Sequence, residues 1–390
     1  MYHHDNRNYD TALKEAREHL EGQIAAKANS AKNVIERVLG TQLHDRVAPT
    51  DKLHFTFMTE MVKEKVDDEV IERPQHVISL GSKGKVAKPF RERLHKHALG
   101  QAADRAGMPN TYVNRLLAKP YGAELITENL NTIFAKEATE KYLLRSTDDE
   151  IRGVLSDSFR RMDSRPILES FAGAVQALGA IPIEGIGGDL RFSIKALLPQ
   201  VYVVGKGRPG NEEVFAFGAS LSNSDVGCGA LSLQFFLWRI WCSNTATRED
   251  SLRRVHLGKR LSEDIEYSEE TYQADTKTMA LAVRDNVQNV LAAPKIEEAL
   301  ASIEKALDTA IEPKKFWERG GELEKLKLSK KEIEATREQF NNGDIMTLPA
   351  GTNMMRMSQA VAWLAQTVPN AERRLELERV AGQLMEKVAA

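Results

Sequence analysis

Between residues 181 and 243 the chain runs through three β-branched or aromatic stretches: "LRFSIKALLPQVYVVG", "EVFAFGASLSNS" and "ALSLQFFLWRIWC". Gly-rich turns ("GIGGD", "GKGRPG", "DVGCGA") punctuate them, the pattern of adjacent antiparallel strands. This block constrains the fold most. From Leu231 onward, strict alternation puts Leu231, Leu233, Phe235, Leu237, Arg239 and Trp241 on one face. Ser232, Gln234, Phe236, Trp238, Ile240 and Cys242 fall on the other. Neither face is polar enough for water, so the strand must be central or covered on both sides. Cover has to come from helices elsewhere in the chain.

Those helices are legible. Leu13, Ala16, Leu20 and Ile24 recur at helical spacing among Lys, Glu and Arg. Residues 92 to 118 read as two helices broken at "GMPN", and a helix is expected from about 166 to 182. Beyond 250 the pattern is again amphipathic helix. The expected fold is α+β, with a central antiparallel sheet at about 181–243 flanked by N-terminal and C-terminal helices. Three regions follow: a helical region over 1–75, an α+β core with basic segments over 76–260, and a helical region over 261–390.

The net charge of −2 conceals a segregation. From Gly81 to Lys119, nine cations (Lys83, Lys85, Lys88, Arg91, Arg93, Lys96, Arg105, Arg115 and Lys119) face only Glu92 and Asp104, giving +7. Residues 191 to 208 carry Arg191, Lys195, Lys206 and Arg208 with no acid. Residues 239 to 260 add +4, from Arg239, Arg248, Arg253, Arg254, Lys259 and Arg260 against two acids. The remainder of the chain therefore stands at −17. If the three segments meet on one face, they form a groove for a polyanion. If each pairs with an acidic helix, they do not.

Within the first segment, "LGQAADRAGMPNTYVNRLLAKP" has a helix-turn-helix pattern. Ala103 packs under the turn, Gly107 makes it, and Val113 locks the second helix with Leu116 below. Asn110, Thr111, Tyr112, Asn114 and Arg115 then line that helix. A plain helical hairpin would use the same small residue, glycine and apolar contacts. "GSKGK" at 81–85 lacks the spacing and hydroxyl residue of a phosphate loop, and "GIGGD" lacks the context of a dinucleotide site.

Cys242 could be a nucleophile beside Arg239 and His256, with Asn244 nearby. No sequence pattern fixes that pair. The histidines show no metal-ligand spacing, so neither a metal nor a cofactor is expected. Asp148, Asp149, Glu150 and Asp157 are interleaved with arginines, which favours a salt-bridged surface. Two cysteines are too few for a disulfide framework. The polar start and the absence of a long apolar run lead us to expect a cytoplasmic chain that does not enter a membrane.

Several segments, taken in order, resemble a family: the phage/plasmid-like proteins of unknown function, spread by lateral transfer. They are "RSTDDEIRGVLSDSFRRMDSRPILESF", "SLSNSDVGCGALSLQFFLWRIWCSNTAT", "RRVHLGK" and "TNMMRMSQAVAWLAQ". Arg239, Cys242, Asn244, His256 and Gly258 match its strand and "H-(small)-G" elements. Gln359-Ala360 and Ser158-Phe159 depart from its Asn-Ala and Arg-Tyr. The resemblance implies a setting among phages and mobile elements, near recombination and replication genes.

Together these readings lead us to expect a nucleic-acid-binding protein that holds single-stranded DNA, promotes annealing and assembles as a homo-oligomer. Lys83, Lys85, Lys88, Arg91, Arg93, Lys96, Arg115, Lys119, Arg191, Lys195, Lys206, Arg208, Arg253 and Arg254 would meet phosphates. Arg239 and Trp241 would clamp bases. The alternatives are a small-molecule or nucleotide enzyme centred on Cys242 and His256, and an antagonist of host defence acting through its acidic helices.

Overall fold

The computed structural model describes residues 6–66, 69–84, 88–137, 140–204, 213–242, 244–254, 267–344 and 346–389. Helix α1 (Asn6–Gly40) precedes β1 (His44–Pro49), β2 (Leu53–Val66), β3 (Glu69–Ser82) and β4 (Arg91–Leu94). Three helices follow: α2 (Lys96–Arg105), α3 (Asn110–Leu117) and α4 (Gly122–Lys136). The hairpin of β5 (Lys141–Thr147) and β6 (Glu150–Ser156) leads to α5 (Ser164–Ala177). Strands β7 (Ile181–Gly187), β8 (Phe192–Leu197), β9 (Tyr202–Val204), β10 (Glu213–Asn223), β11 (Leu231–Arg239) and β12 (Thr245–Arg254) come next. The last elements are α6 (Glu269–Val290), α7 (Ala293–Asp308), the one-turn α8 (Lys314–Trp317) and α9 (Glu322–Lys325), α10 (Lys330–Asn342), α11 (Met354–Thr367) and α12 (Ala371–Ala389).

The fold is α+β, with two sheets where the sequence pointed to one. The second sheet, in the order β12-β11-β10-β8-β7 with β9 beside β10, is the expected antiparallel block. Strands β10 and β11 are buried along their whole length. Phe215, Phe217, Leu233 and Leu237 pack into the core shared with α5 and α6. Val214, Ala216, Phe236 and Trp238 meet Ala16 and Leu20 of α1. Alternating apolar residues on both faces thus demanded helices on both, and the chain supplies them.

Helix α1 lies close to the sheet. A Cβ on Gly185 of β7 would sit 2.4 Å from the Ser30 carbonyl oxygen, so only glycine fits. Gln23 accepts from the Trp238 indole at 2.9 Å and donates to the Ile240 carbonyl at 2.8 Å.

The first sheet overturns the expectation of helix through residue 75. Helix stops at Gly40, and β1, β2 and β3 follow. "LHFTF" alternates with period two, burying Leu53 and Phe55 while leaving His54 outside. The strand order is β1-β5-β6-β4-β3-β2, antiparallel except for β4 beside β6. Only the single turn Thr50–Lys52 separates β1 from β2, yet these are the two edge strands. The sheet must therefore curl. Arg46 of β1 reaches Glu92 of β4 at 2.9 Å and lies 3.8 Å from the Phe90 ring centroid. Helix α4 fills the curl: Phe134 meets Phe55 edge-on at 5.1 Å, and Asn131 makes two 2.8 Å bonds to the Phe55 backbone.

Arg145 of β5 joins the two sheets. It is 1% exposed and donates to both oxygens of Asp45 on β1, at 2.8 and 2.9 Å. It also lies 2.8 Å from Asp163 before α5 and donates to the Asp225 carbonyl at 3.1 Å. Arg161 pairs with Asp45 and Glu269, and Arg160 with Asp275. The arginines of this zone are salt-bridged, but mainly to acids other than those interleaved with them. Of Asp148, Asp149, Glu150 and Asp157, only Glu150 has an ion pair among the described residues, with Arg152 at 3.2 Å. Asp148 and Asp149, both at positive φ, form the β5–β6 turn.

Candidate nucleic-acid interface

The expected groove of three basic segments divides into an exposed set and a buried set. Lys195 is 1% exposed, held by Glu184 at 3.1 Å and Glu378 at 2.6 Å. Lys27 and Arg374 join the same cluster through Glu184, at 3.4 and 2.8 Å. Burial pushes the Glu184 carboxyl up, but Lys195, Arg374 and Lys27 together outweigh it and hold it below the ordinary range. These five charges come from α1, the adjacent strands β7 and β8, and α12, so the cluster ties α1, the second sheet and α12 together. Lys195 is not a phosphate ligand. Arg191, half-buried, contacts Ser222 at 3.2 Å and Glu372 at 3.5 Å.

The clamp of Arg239 and Trp241 does not form either. Strand β11 ends at Arg239 and the chain turns, so alternation stops two residues short of Trp241 and does not place both on one face. Arg239 is 0% exposed and donates to both oxygens of Glu213, at 2.6 and 3.1 Å. It also donates to the Met346 carbonyl at 2.9 Å. Trp241 packs instead against the α1 side, its ring centroid 6.2 Å from that of His19. An arginine locked to a buried carboxylate cannot reach a ligand backbone without breaking the core.

The enzyme alternative loses support at the same place. Burial raises the Cys242 thiol over the opposing pull of Arg239, whose Nη1 lies 3.3 Å from Sγ, so a thiolate is disfavoured. Asn244 is buried and structural: it donates to the Thr347 and Gln359 carbonyls at 3.3 and 3.2 Å and accepts from Gln366 at 2.7 Å. His256 and Gly258 lie outside the described residues, as do Lys85, Lys206 and Arg208. The side chains of Arg253 and Arg254, on β12, also lie outside them.

The exposed set lies in residues 83 to 119. Lys83, Lys88, Arg91, Lys96, Arg115 and Lys119 are exposed, and none has an ion-pair partner among the described residues. Arg93 is the exception, paired with Glu60. Arg105 is also spent, donating to the Val154 carbonyl at 3.0 Å beside Tyr142.

The helical hairpin at the centre of this set is built by local rules. Met108 N–H bonds to the Ala103 carbonyl at 2.8 Å and Gly107 N–H to that of Asp104 at 3.1 Å. That double bond is a glycine-terminated helix end, and Gly107 sits at φ +67 as it requires. Ala102 and Ala103 are fully buried, and Met108 and Val113 nearly so. Gln101 anchors α2, accepting from Val154 N–H at 2.8 Å and donating to the Val226 carbonyl at 2.9 Å. Thr111, Tyr112, Asn114 and Arg115 of α3 face solvent, Tyr112 at 44%.

Tyr121, 55% exposed just past Lys119, was missed in the sequence reading. Its signal was the bracketing of two basic residues, Arg115 and Lys119, by two aromatic ones, Tyr112 and Tyr121.

A cleft of about 810 Å³ runs along the open edge of β1. Lys88, Lys52 and Arg46 line it, but so do Asp45, Asp149, Asp163 and Glu269. Its charges offset one another, so it is not a polyanion groove. No group of three or more His, Cys, Asp or Glu among the described residues is arranged to hold a metal ion. No helix among them is long and apolar enough to cross a membrane. Compared with known protein families, curated proteins and solved structures, the chain matches none.

Proposed function

We propose that the protein binds nucleic acid through the exposed surface of residues 83 to 119. The observation that carries this reading is the set of six exposed cations, Lys83, Lys88, Arg91, Lys96, Arg115 and Lys119, without an acidic partner among the described residues. Basic side chains left to solvent, with exposed Tyr112 three residues before Arg115 and exposed Tyr121 two residues after Lys119, suit a phosphate backbone with bases within reach. In the single-strand annealing role expected from the sequence, Arg239 and Trp241 were to clamp the bases, and these two tyrosines are the aromatic groups that would take that part.

The test is fluorescence anisotropy with single- and double-stranded DNA across a salt series, with particle mass measured in the same samples. If all six cations reach phosphates, log Kd on duplex DNA rises against log salt with a slope of about 5. Lys88→Ala and Lys83→Ala each lower that slope by about 1. An affinity that stays flat from low to physiological salt removes the reading. A DNA-dependent change of mass supports the expected self-assembly.

A further inference from the structure

The reading above leaves the form of the nucleic acid open, and the geometry of α2 and α3 narrows it. We infer that these helices are a helix-turn-helix reader of duplex DNA, with α3 as the helix that enters the major groove. The inference rests on the proposed binding surface and adds a substrate class to it.

Four observations carry it. The first is the spacing: a ten-residue α2, residues 106–109 as the turn, and an eight-residue α3. A turn of three or four residues with glycine is what sets such helices across one another. The second is the interior of the hairpin. Ala103 at 0% exposure lies four residues before Gly107, where only a small side chain lets the helices approach. Val113 is buried six residues after Gly107 and Leu116 is partly buried one turn on, so α3 is fixed on one side only.

The third is what the other side presents. Thr111 and Arg115 are one helical turn apart and exposed, with Asn114 and Tyr112 flanking them. From Arg105 to Lys119 there is no acidic residue to repel phosphates. Arginine pairs with the acceptor edge of guanine and asparagine with the donor-acceptor edge of adenine, both in the major groove. At about 1.5 Å per residue, α3 is roughly 12 Å long, comparable to the groove's width. The fourth is the flanks. Lys96 opens α2 and Lys119 follows α3, where side chains of this motif meet the backbones on either side. Asn110 is not counted as a reader, since its amide donates to Asp104 at 2.9 Å.

Selection of the full-length protein against a random-sequence duplex library tests the inference. The expected result is enrichment of a short motif, bound more tightly than a single strand of equal length. Arg115→Ala and Asn114→Ala should then weaken the selected site by about ten- to hundred-fold while changing random duplex far less. Lys88→Ala should weaken both alike. Circular dichroism checks that these surface variants stay folded.

Salt-dependent binding with no enriched motif, or a preference for single strands that falls with Tyr112→Ala or Tyr121→Ala, overturns the duplex reader and leaves the binding surface standing. Absence of binding to any nucleic acid at low salt overturns the surface itself.

Discussion

Arg239 shows how far a side chain's role can be read from its neighbours in sequence. Its strand and face follow from alternation, and both are as expected up to that residue. Its partner Glu213 lies 26 positions away on the adjacent strand, and nothing local announces it. Arg239→Ala should therefore cost stability rather than binding. Leaving Glu213 buried without its cation costs about 3–5 kcal/mol. Urea unfolding should show this loss, while the folded variant binds DNA as the parent does.

Asp225 offers a second test at this scale. Burial raises its carboxyl to about 6, outweighing the pull of Arg145. The folded chain thus keeps a proton that the unfolded chain releases near pH 4. The stability from this group is full below about pH 4 and is lost as pH rises through about 6. Asp225→Asn should remove that fall from the unfolding midpoint measured between pH 4 and 7.

Elements whose signals are local were the legible ones. The α2–α3 hairpin needs a small residue, a glycine and two apolar contacts within fifteen positions, and the sequence writes all of them in order. Strands β1 to β3 were hidden because period-two alternation is confined to Leu53–Phe55: Val47, Phe57, Met58 and Met61 are apolar yet exposed, so no continuous buried-and-polar pattern marks these strands. The approach of α3 to α4 is set by Gly122, where a Cβ would lie 1.7 Å from the Leu116 carbonyl oxygen. Gly122→Ala must push the two helices apart, at a cost above the roughly 1–3 kcal/mol usual for overpacking. If α3 presents the binding residues, this variant should also lose DNA affinity in the fraction that remains folded. Unchanged affinity and stability together would show that the α3–α4 contact is slack.

At the scale of the molecule, the second sheet was legible and the first was not. The junction made by Arg145 could not have been foreseen, since Asp45, Asp163 and Asp225 come from three distant segments. The buried basic residues follow the same logic: charge segregation along a chain does not say which cations fold inward. Helix α1 carries a consequence of its own. Its apolar stripe docks on strand residues made much later, and Gln23 bonds a carbonyl 217 positions downstream. At about 5–20 residues per second, a ribosome takes roughly 10–40 s to make that stretch. Ile183 and Leu197 of β7 and β8 emerge partway through that interval, but until Phe236 and Trp238 follow, the stripe of Ala16, Leu20 and Ile24 is only partly covered and open to a chaperone.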